Sequence, residues 1–359
     1  MSTLPLVLLI VVAVAVIAAL VVGGVVVGRA RRGRPRHEDT RLPFAEDDQL
    51  RPRMAVIVNP TKVPDLPATQ ELVAEICAES GWAQPVWWET TEEDPGEGQT
   101  RAAIAADADV VCALGGDGTV RVVGSTLAGT GIPLGLLPAG TGNLLARNLQ
   151  LPLDDLPAAV KVALSGRDLP IDVGRCTLEV TGEDEQPDRL GFLVMAGLGF
   201  DAAIMADVQE GMKDRLGWLA YVAAGARNLR GPQMKVTLSF DGQPPISRRV
   251  RTVLAGNVGR IGGGITLMPD AEIDDGYLDT LTLSPRGVVG WTAVAGRVLT
   301  RRRGGHDLVE HRRCRRLRIT VEDPHPVQVD GDVVAEVRAI DITLDRLALT
   351  VRMPESDTP

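Results

Sequence analysis

Asp109-Val-Val-Cys-Ala-Leu-Gly-Gly-Asp-Gly-Thr119 is the stretch on which the fold turns. Val110 to Leu114 is an unbroken apolar run of strand length, which is how a strand covered on both faces reads. It passes into Gly115-Gly116-Asp117-Gly118-Thr119, and a helical segment over 120–128 follows at once. A strand that runs through glycines into a helix is a unit of a parallel sheet. Glycines at that corner let backbone N–H groups approach phosphate oxygens with no Cβ in the way. Asp117 among them would repel bare phosphate, so a cation such as Mg²⁺ is expected between the two. The plainer reading is a tight turn with a solvated aspartate, and one such turn does not decide the matter.

Outward from this stretch the pattern repeats. Residues 133–137 form a strand that leads to Pro138-Ala139-Gly140-Thr141-Gly142-Asn143, with a helix over 143–148. Thr141 can donate its hydroxyl to phosphate, and Asn143 can fix the loop or serve as an ordinary helix cap. Upstream, the strand at 54–58 ends in Asn59-Pro60-Thr61-Lys62-Val63. Lys62 there is either a phosphate counter-charge or an exposed turn lysine. A helix over 68–79, a strand over 86–89 and a helix over 101–106 complete the alternation, which predicts a parallel, doubly wound sheet. Open sheets of that kind bind ligands beyond their strand ends. After Asp172 the chain changes to short alternating strands at 175–180, 190–196, 235–240, 248–255, 277–283 and 317–321. Helices are expected between 202 and 229, and closing strands near 327–329 and 340–343. This half reads as a largely antiparallel β domain.

The chain has 359 residues, 45% hydrophobic and 24% charged, with a net charge of -9. That balance argues against nucleic acid as a partner. Cys77, Cys112, Cys176 and Cys314 stand far apart, and the four histidines lack ligand spacing, so reduced thiols and no zinc site are expected. Residues 4–27 are apolar without a charge, long enough for a transmembrane helix and longer than a signal-peptide core. Arg29, Arg31, Arg32, Arg34 and Arg36 follow, which would keep the folded part cytoplasmic. The expected organisation is a single-pass membrane protein. It has an anchor at 4–28, an Arg-rich linker at 29–53, an α/β nucleotide domain at 54–172 and a β-rich lipid-side domain at 173–326. A tail at about 327–352 can return to the first domain.

The Asn-Pro loop, GGDGT, PAGTGN and the run MPDAEIDDGYLD at 268–279 occur in that order. Together they resemble the diacylglycerol kinase catalytic family, which includes sphingosine kinases and bacterial lipid kinases. The resemblance covers nearly all of 54–352, and a Walker A pattern is absent. It implies an α/β, NAD-kinase-like nucleotide domain with a parallel sheet, a β-sandwich second domain and an active site between them. The implied reaction is ATP- and Mg²⁺-dependent transfer of the γ-phosphate to a lipid hydroxyl, most simply diacylglycerol to phosphatidic acid. The implied partners are ATP and a lipid substrate in the membrane, with a homodimer left open.

By the same resemblance, Asn59, Pro60, Thr61, Lys62, Val63, Gly115, Gly116, Asp117, Gly118, Thr119 and Thr141 match nucleotide-contacting positions. Thr90 or Thr91 fits the threonine after the second strand. Glu272, Asp275 and Tyr277 match the ligands of a second Mg²⁺, against the reading of a solvated acidic turn with Gly276 at positive φ. Asp330-Gly331-Asp332 stands where the family usually reads Asp-Gly-Glu. That makes Asp332 the expected general base, although Asp-Gly is also a hairpin dipeptide. Two departures stand out: Asp332 is one methylene short, and Leu144 replaces the Asp of diacylglycerol-type members, an acid that sphingosine kinases also lack. The stretch at 199–229, with Asp201 and the apolar run 218–224, resembles the segment beside the lipid cleft, although plain core reads the same. The arginines at 301–303 and 312–318 suit either an anionic lipid surface or a solvated face. The alternatives are a sphingoid or other lipid alcohol kinase, a soluble-substrate kinase resembling the NAD kinases, and a nucleotide-binding homologue without catalysis.

Overall fold

Four short apolar runs build the parallel layer of this computed structural model. They are β1 (Met54–Val58), β2 (Val86–Glu89), β3 (Val110–Gly115) and β4 (Leu134–Pro138), paired in the order β2-β1-β3-β4. Five helices are described: α1 (Leu66–Glu79), α2 (Glu97–Ala105), α3 (Asp117–Leu127), α4 (Leu144–Asn148) and α5 (Leu156–Ser165). Alternate side chains of β1 serve opposite faces. Met54, Val56 and Val58 pack with Val73 and Ile76 of α1 and Val160 of α5. Ala55 and Ile57 pack with Ala103 of α2 and with Val123 and Leu127 of α3. Each large side chain so buried contributes roughly 1.5–3 kcal/mol. Two helices start on the same device. Asp65 accepts the Ala68 N–H (3.0 Å) and Asp155 accepts the Ala158 N–H (2.9 Å), each with a proline in the first turn.

The chain divides into units Met1–Pro43 and Phe44–Pro359. The structure describes residues 51–180, 188–199, 233–261, 265–287, 290–291, 293–294 and 308–355, all in the second unit. The β-rich half contains β5 (Arg167–Val180), β6 (Asp188–Phe192), β7 (Met195–Leu198), β8 (Met234–Phe240), β9 (Ile246–Val250) and β10 (Thr252–Gly256). It continues with β11 (Leu278–Leu283), β12 (Val309–Cys314), β13 (Arg316–Val329) and β14 (Asp332–Met353). Its strands pair antiparallel around a core that includes Leu178, Phe192, Val253, Ile319 and Ile340. β14 leaves this half and lies parallel to β4, with Val351 opposite Leu134, so one mixed sheet carries both halves.

Several expectations change here. The single strand at 190–196 is two, because the N–H groups of Leu193 and Val194 turn toward a distant carboxylate. The strand at 248–255 is also two, β9 and β10. The predicted localisation, a single-pass membrane protein, is corrected: among the described residues no helix is long and apolar enough to cross a membrane. The longest described helix, α1, has 14 residues, or about 21 Å against a hydrocarbon core of about 30 Å, and it carries Glu71, Glu75 and Glu79. The predicted anchor at 4–28 lies outside the described residues, as do the linker up to residue 50, Asp201, the helices between 202 and 229, and the arginines at 301–303.

Candidate active site

The ends of β1, β3 and β4 are held level by two backbone hydrogen bonds. The Asn59 N–H donates to the Leu114 carbonyl (2.9 Å) and the Ala139 N–H to that of Gly115 (3.0 Å). The loops after β3 and β4 then touch. A Cβ built on Gly140 would lie 2.6 Å from the Gly116 Cα, so this approach requires glycine. Asp117 closes the contact: one carboxylate oxygen accepts the Asn143 N–H (2.9 Å) and the other the Leu144 N–H (2.6 Å). Burial pushes the Asp117 carboxyl above its ordinary range; the two donors oppose that shift and nearby Asp332 adds to it. Through these contacts Asp117 clamps the two glycine loops together.

Asn143 does not cap α4 with its side chain. It sits at φ 49 and grips its own loop, its Oδ1 accepting the Gly140 N–H (3.2 Å) and its Nδ2 donating to the Gly140 carbonyl (2.6 Å). Arg147, not anticipated from sequence, donates from Nε to the Gly142 carbonyl (2.6 Å), and Thr141 is exposed at the tip. Leu144 is buried in the core, so the position that lacks an acid keeps a backbone role. Thr119 is buried under Gly115.

The other expected nucleotide positions lie in the turns that follow β1 and β2. Asn59 accepts both the N–H (3.1 Å) and the hydroxyl (2.7 Å) of Thr61, fixing the short 3-10 turn Pro60–Lys62. Lys62 is exposed and has no ion pair among the described residues. Val63 packs partly against the core below the loop. Thr90 is buried at the end of β1, its N–H on the Val58 carbonyl (2.9 Å). Thr91 is exposed and belongs to a separate turn, its hydroxyl accepting the Asp94 N–H (3.0 Å).

Asp332 reaches this place from the other end of the chain, and Asp330 puts it there. The Asp330 carboxylate is wholly buried and accepts three N–H groups, from Leu193 (2.8 Å), Val194 (2.9 Å) and Met195 (2.8 Å). Burial pushes this carboxyl up to about 6 even against those donors. The turn it fixes, with Asp330 at φ 49 and Gly331 at φ 97, hangs Asp332 over the start of α3. A Cβ on Gly118 would lie 3.1 Å from the Asp332 Oδ2, and Arg121 of α3 donates to that oxygen from Nη2 (3.2 Å). Neither Asp330 nor Arg121 was assigned a role from sequence. The available signal for Arg121 was a lone charge in Val120-Arg121-Val122-Val123.

The acidic turn behaves differently. Buried Asp172 accepts the N–H groups of Gly276 (2.6 Å) and Leu347 (2.7 Å), while the Gly129 N–H, beyond the last turn of α3, donates to the Ala348 carbonyl (2.7 Å). The turn is thus tied to the end of α3 that lies one helix length, about 16 Å, from Asp117. Asp275 accepts the Tyr277 N–H (2.8 Å) on one oxygen and an Arg313 N–H on the other. The Arg313 Nε is 3.7 Å from Asp279, and its guanidinium lies 4.7 Å from the centre of the Tyr277 ring. Burial pushes the Asp279 carboxyl up to about 6; Arg313 pulls it down, while Asp275, Asp270 and Glu272 push it further up. Glu272 is exposed. Among the described residues no three His, Cys, Asp or Glu gather to hold a metal. In this structure Asp275, one of the residues matched to a second Mg²⁺, is paired with the Arg313 guanidinium.

Glycine-lined turns on neighbouring strand ends, a helix N-terminus and a facing carboxylate are the arrangement by which α/β folds can receive phosphate. Residues 53–176 match the family model described as the diacylglycerol kinase catalytic domain, and residues 194–351 match that of the YegS C-terminal NAD kinase beta sandwich-like domain. The chain is 32% identical over 261 residues, 70% of its length, to a Pseudomonas aeruginosa protein named as a probable lipid kinase, YegS-like, and covers 79% of that protein. It is 34% identical over 183 residues to a diacylglycerol kinase of Mycobacterium tuberculosis, a match spanning 50% of this chain and 56% of the relative. Among solved structures, a diacylglycerol kinase from Bacillus anthracis has the same fold, with a TM-score of 0.62 at 20% identity over 85% of this chain and 97% of that one. The chain belongs to the diacylglycerol kinase-type family of lipid kinases.

Proposed function

We propose that the chain is an ATP-dependent lipid kinase that transfers the γ-phosphate to a lipid hydroxyl, with diacylglycerol to phosphatidic acid as its simplest reaction. In this reading residues 54–172 bind the nucleotide and residues 173–326 face the lipid. The observation that carries it is the placement of Asp332 over the first turn of α3, against Gly118 of the first glycine loop, by a buried carboxylate that takes three backbone N–H groups. The N–H groups of the loops and of α3 receive the phosphates, and Asp117 keeps the loops in register for them. The acceptor oxygen forms a bond to the γ-phosphorus as the bond to the β–γ bridging oxygen breaks, and ADP leaves with that electron pair. The hydroxyl proton passes to Asp332. Mg²⁺ arriving with ATP supplies charge neutralisation at the phosphates.

A sphingoid base or other lipid alcohol is the second reading. It is favoured by Leu144, whose buried side chain leaves the second loop without an acid. The test incubates the purified chain with labelled ATP, Mg²⁺, diacylglycerol, sphingosine and NAD. Labelled phosphatidic acid is the expected product, and labelled sphingosine phosphate would select the second reading. Labelled NADP alone, or no labelled product, would overturn the lipid kinase assignment.

A further inference from the structure

Arg121 is held in an arrangement that a resting structural ion pair would not need. It lies one turn into α3, with only 14% of its side chain exposed, whereas the side chain of Asp332 is 55% exposed. The pair has one contact, Nη2 to Oδ2 at 3.2 Å. The Arg121 Nε is buried without a hydrogen-bond partner. The Arg316–Asp341 pair on the same protein is bidentate at 2.7 and 2.8 Å. A mostly buried guanidinium with an orphaned N–H costs free energy that a single contact to an exposed carboxylate does not return. Around it stand Asp332 and Asp330 on the negative side, and the N-terminal N–H groups of α3 on the positive side. Those N–H groups and the guanidinium point to one anion with several oxygens. Meanwhile the Asp332 oxygen that Arg121 holds is occupied toward an incoming hydroxyl.

We propose that Arg121 exchanges partners during the reaction. In the free chain it pairs with Asp332; with a nucleoside triphosphate bound, its guanidinium moves to the terminal phosphate, completes its own hydrogen bonds and releases Asp332 to take the acceptor proton. Arg121 is thereby a catalytic residue that distinguishes triphosphate from diphosphate. The inference rests on the kinase reading above and adds a residue and an order of events to it.

The experiment measures, by calorimetry with Mg²⁺, the binding of ADP and of a non-hydrolysable ATP analogue. The wild-type chain should prefer the triphosphate by about tenfold, the worth of a charge-assisted contact pair. Arg121→Gln should bring that ratio close to one and leave ADP affinity unchanged. Asp332→Asn should tighten the triphosphate several-fold, because the competing carboxylate is gone. An unchanged ratio in Arg121→Gln, or an equal loss for both nucleotides, would overturn the exchange. If Arg121→Gln does not fold, Asp332→Asn decides alone: unchanged or weaker triphosphate binding rejects the proposal. Failure of the wild-type chain to bind either nucleotide would instead remove the kinase reading beneath it.

Discussion

Two Asp-Gly turns of this protein are built alike and end in opposite states. Asp330-Gly331-Asp332 and Asp275-Gly276-Tyr277 both place glycine at positive φ, 97 and 76 respectively. Both are pinned by a fully buried aspartate that accepts backbone N–H groups, Asp330 in one and Asp172 in the other. Both set a carboxylate against an arginine. In the first the arginine is buried and the carboxylate exposed; in the second the burial is reversed, with Arg313 46% and Asp275 15% exposed. The Asp275 carboxylate, mostly buried and with a donor on each oxygen, has fewer acceptor sites left than an exposed one. An exposed carboxylate on one long contact keeps one free oxygen and can change partner. Under the proposed function, which member of the pair is buried, rather than which residues are present, separates a structural turn from a reactive one.

The largest effect should come from the reactive turn. Asp332→Asn removes the proton acceptor, so turnover in the labelled-ATP assay should fall by about 10²- to 10⁴-fold with no loss of nucleotide affinity. Unchanged turnover would make the two turns equivalent and both structural. Next in size is the pin itself. Asp330→Ala leaves three buried N–H groups without an acceptor, at roughly 3–5 kcal/mol of stability. Chemical denaturation should show this as a lower midpoint. A midpoint within experimental error of wild type would mean that the 193–195 segment holds its own shape.

The sequence shows one of these turns better than the other for a physical reason. β1, β3 and β4 were legible because strands covered on both faces are almost continuously apolar, and the glycine loops were legible because they follow directly. α5 was overlooked although Asp155-Leu156-Pro157-Ala158 repeats the start of α1, Asp65-Leu66-Pro67-Ala68. β12 was overlooked because its middle, Glu310 to Arg313, is charged and faces solvent on an outer strand. Asp332 was found through its motif. Asp330 was read only as half of a turn dipeptide, since its acceptor role depends on donors 135 to 137 residues away. Arg313 escaped for the same reason: nothing local indicates that a guanidinium from β12 pairs with Asp275, 38 residues away.

The smallest effect sharpens the comparison from the closed side. Asp279 stands behind Asp275, its carboxyl pushed up to about 6 by burial, and one of its oxygens is buried with no hydrogen bond. A folded-state value above the unfolded 3.8 means that folding disfavours the ionised form. Below about pH 4 the group is protonated in both states and imposes no penalty; as pH rises through about 6 the penalty becomes complete. Asp279→Asn lacks this term. The variant should therefore be more stable than wild type at pH 7 to 8 by about 1 kcal/mol, a figure discounted for solvent around half-exposed Arg313. The advantage should vanish by about pH 4. Asp330 and Asp117 titrate with raised values in both proteins and cancel in the difference. If the difference is independent of pH, or reversed at pH 7, the Arg313 contact at 3.7 Å outweighs the burial of Asp279. The acidic turn would then be a net stabilising cluster, and its contrast with the Asp332 turn would rest on geometry alone.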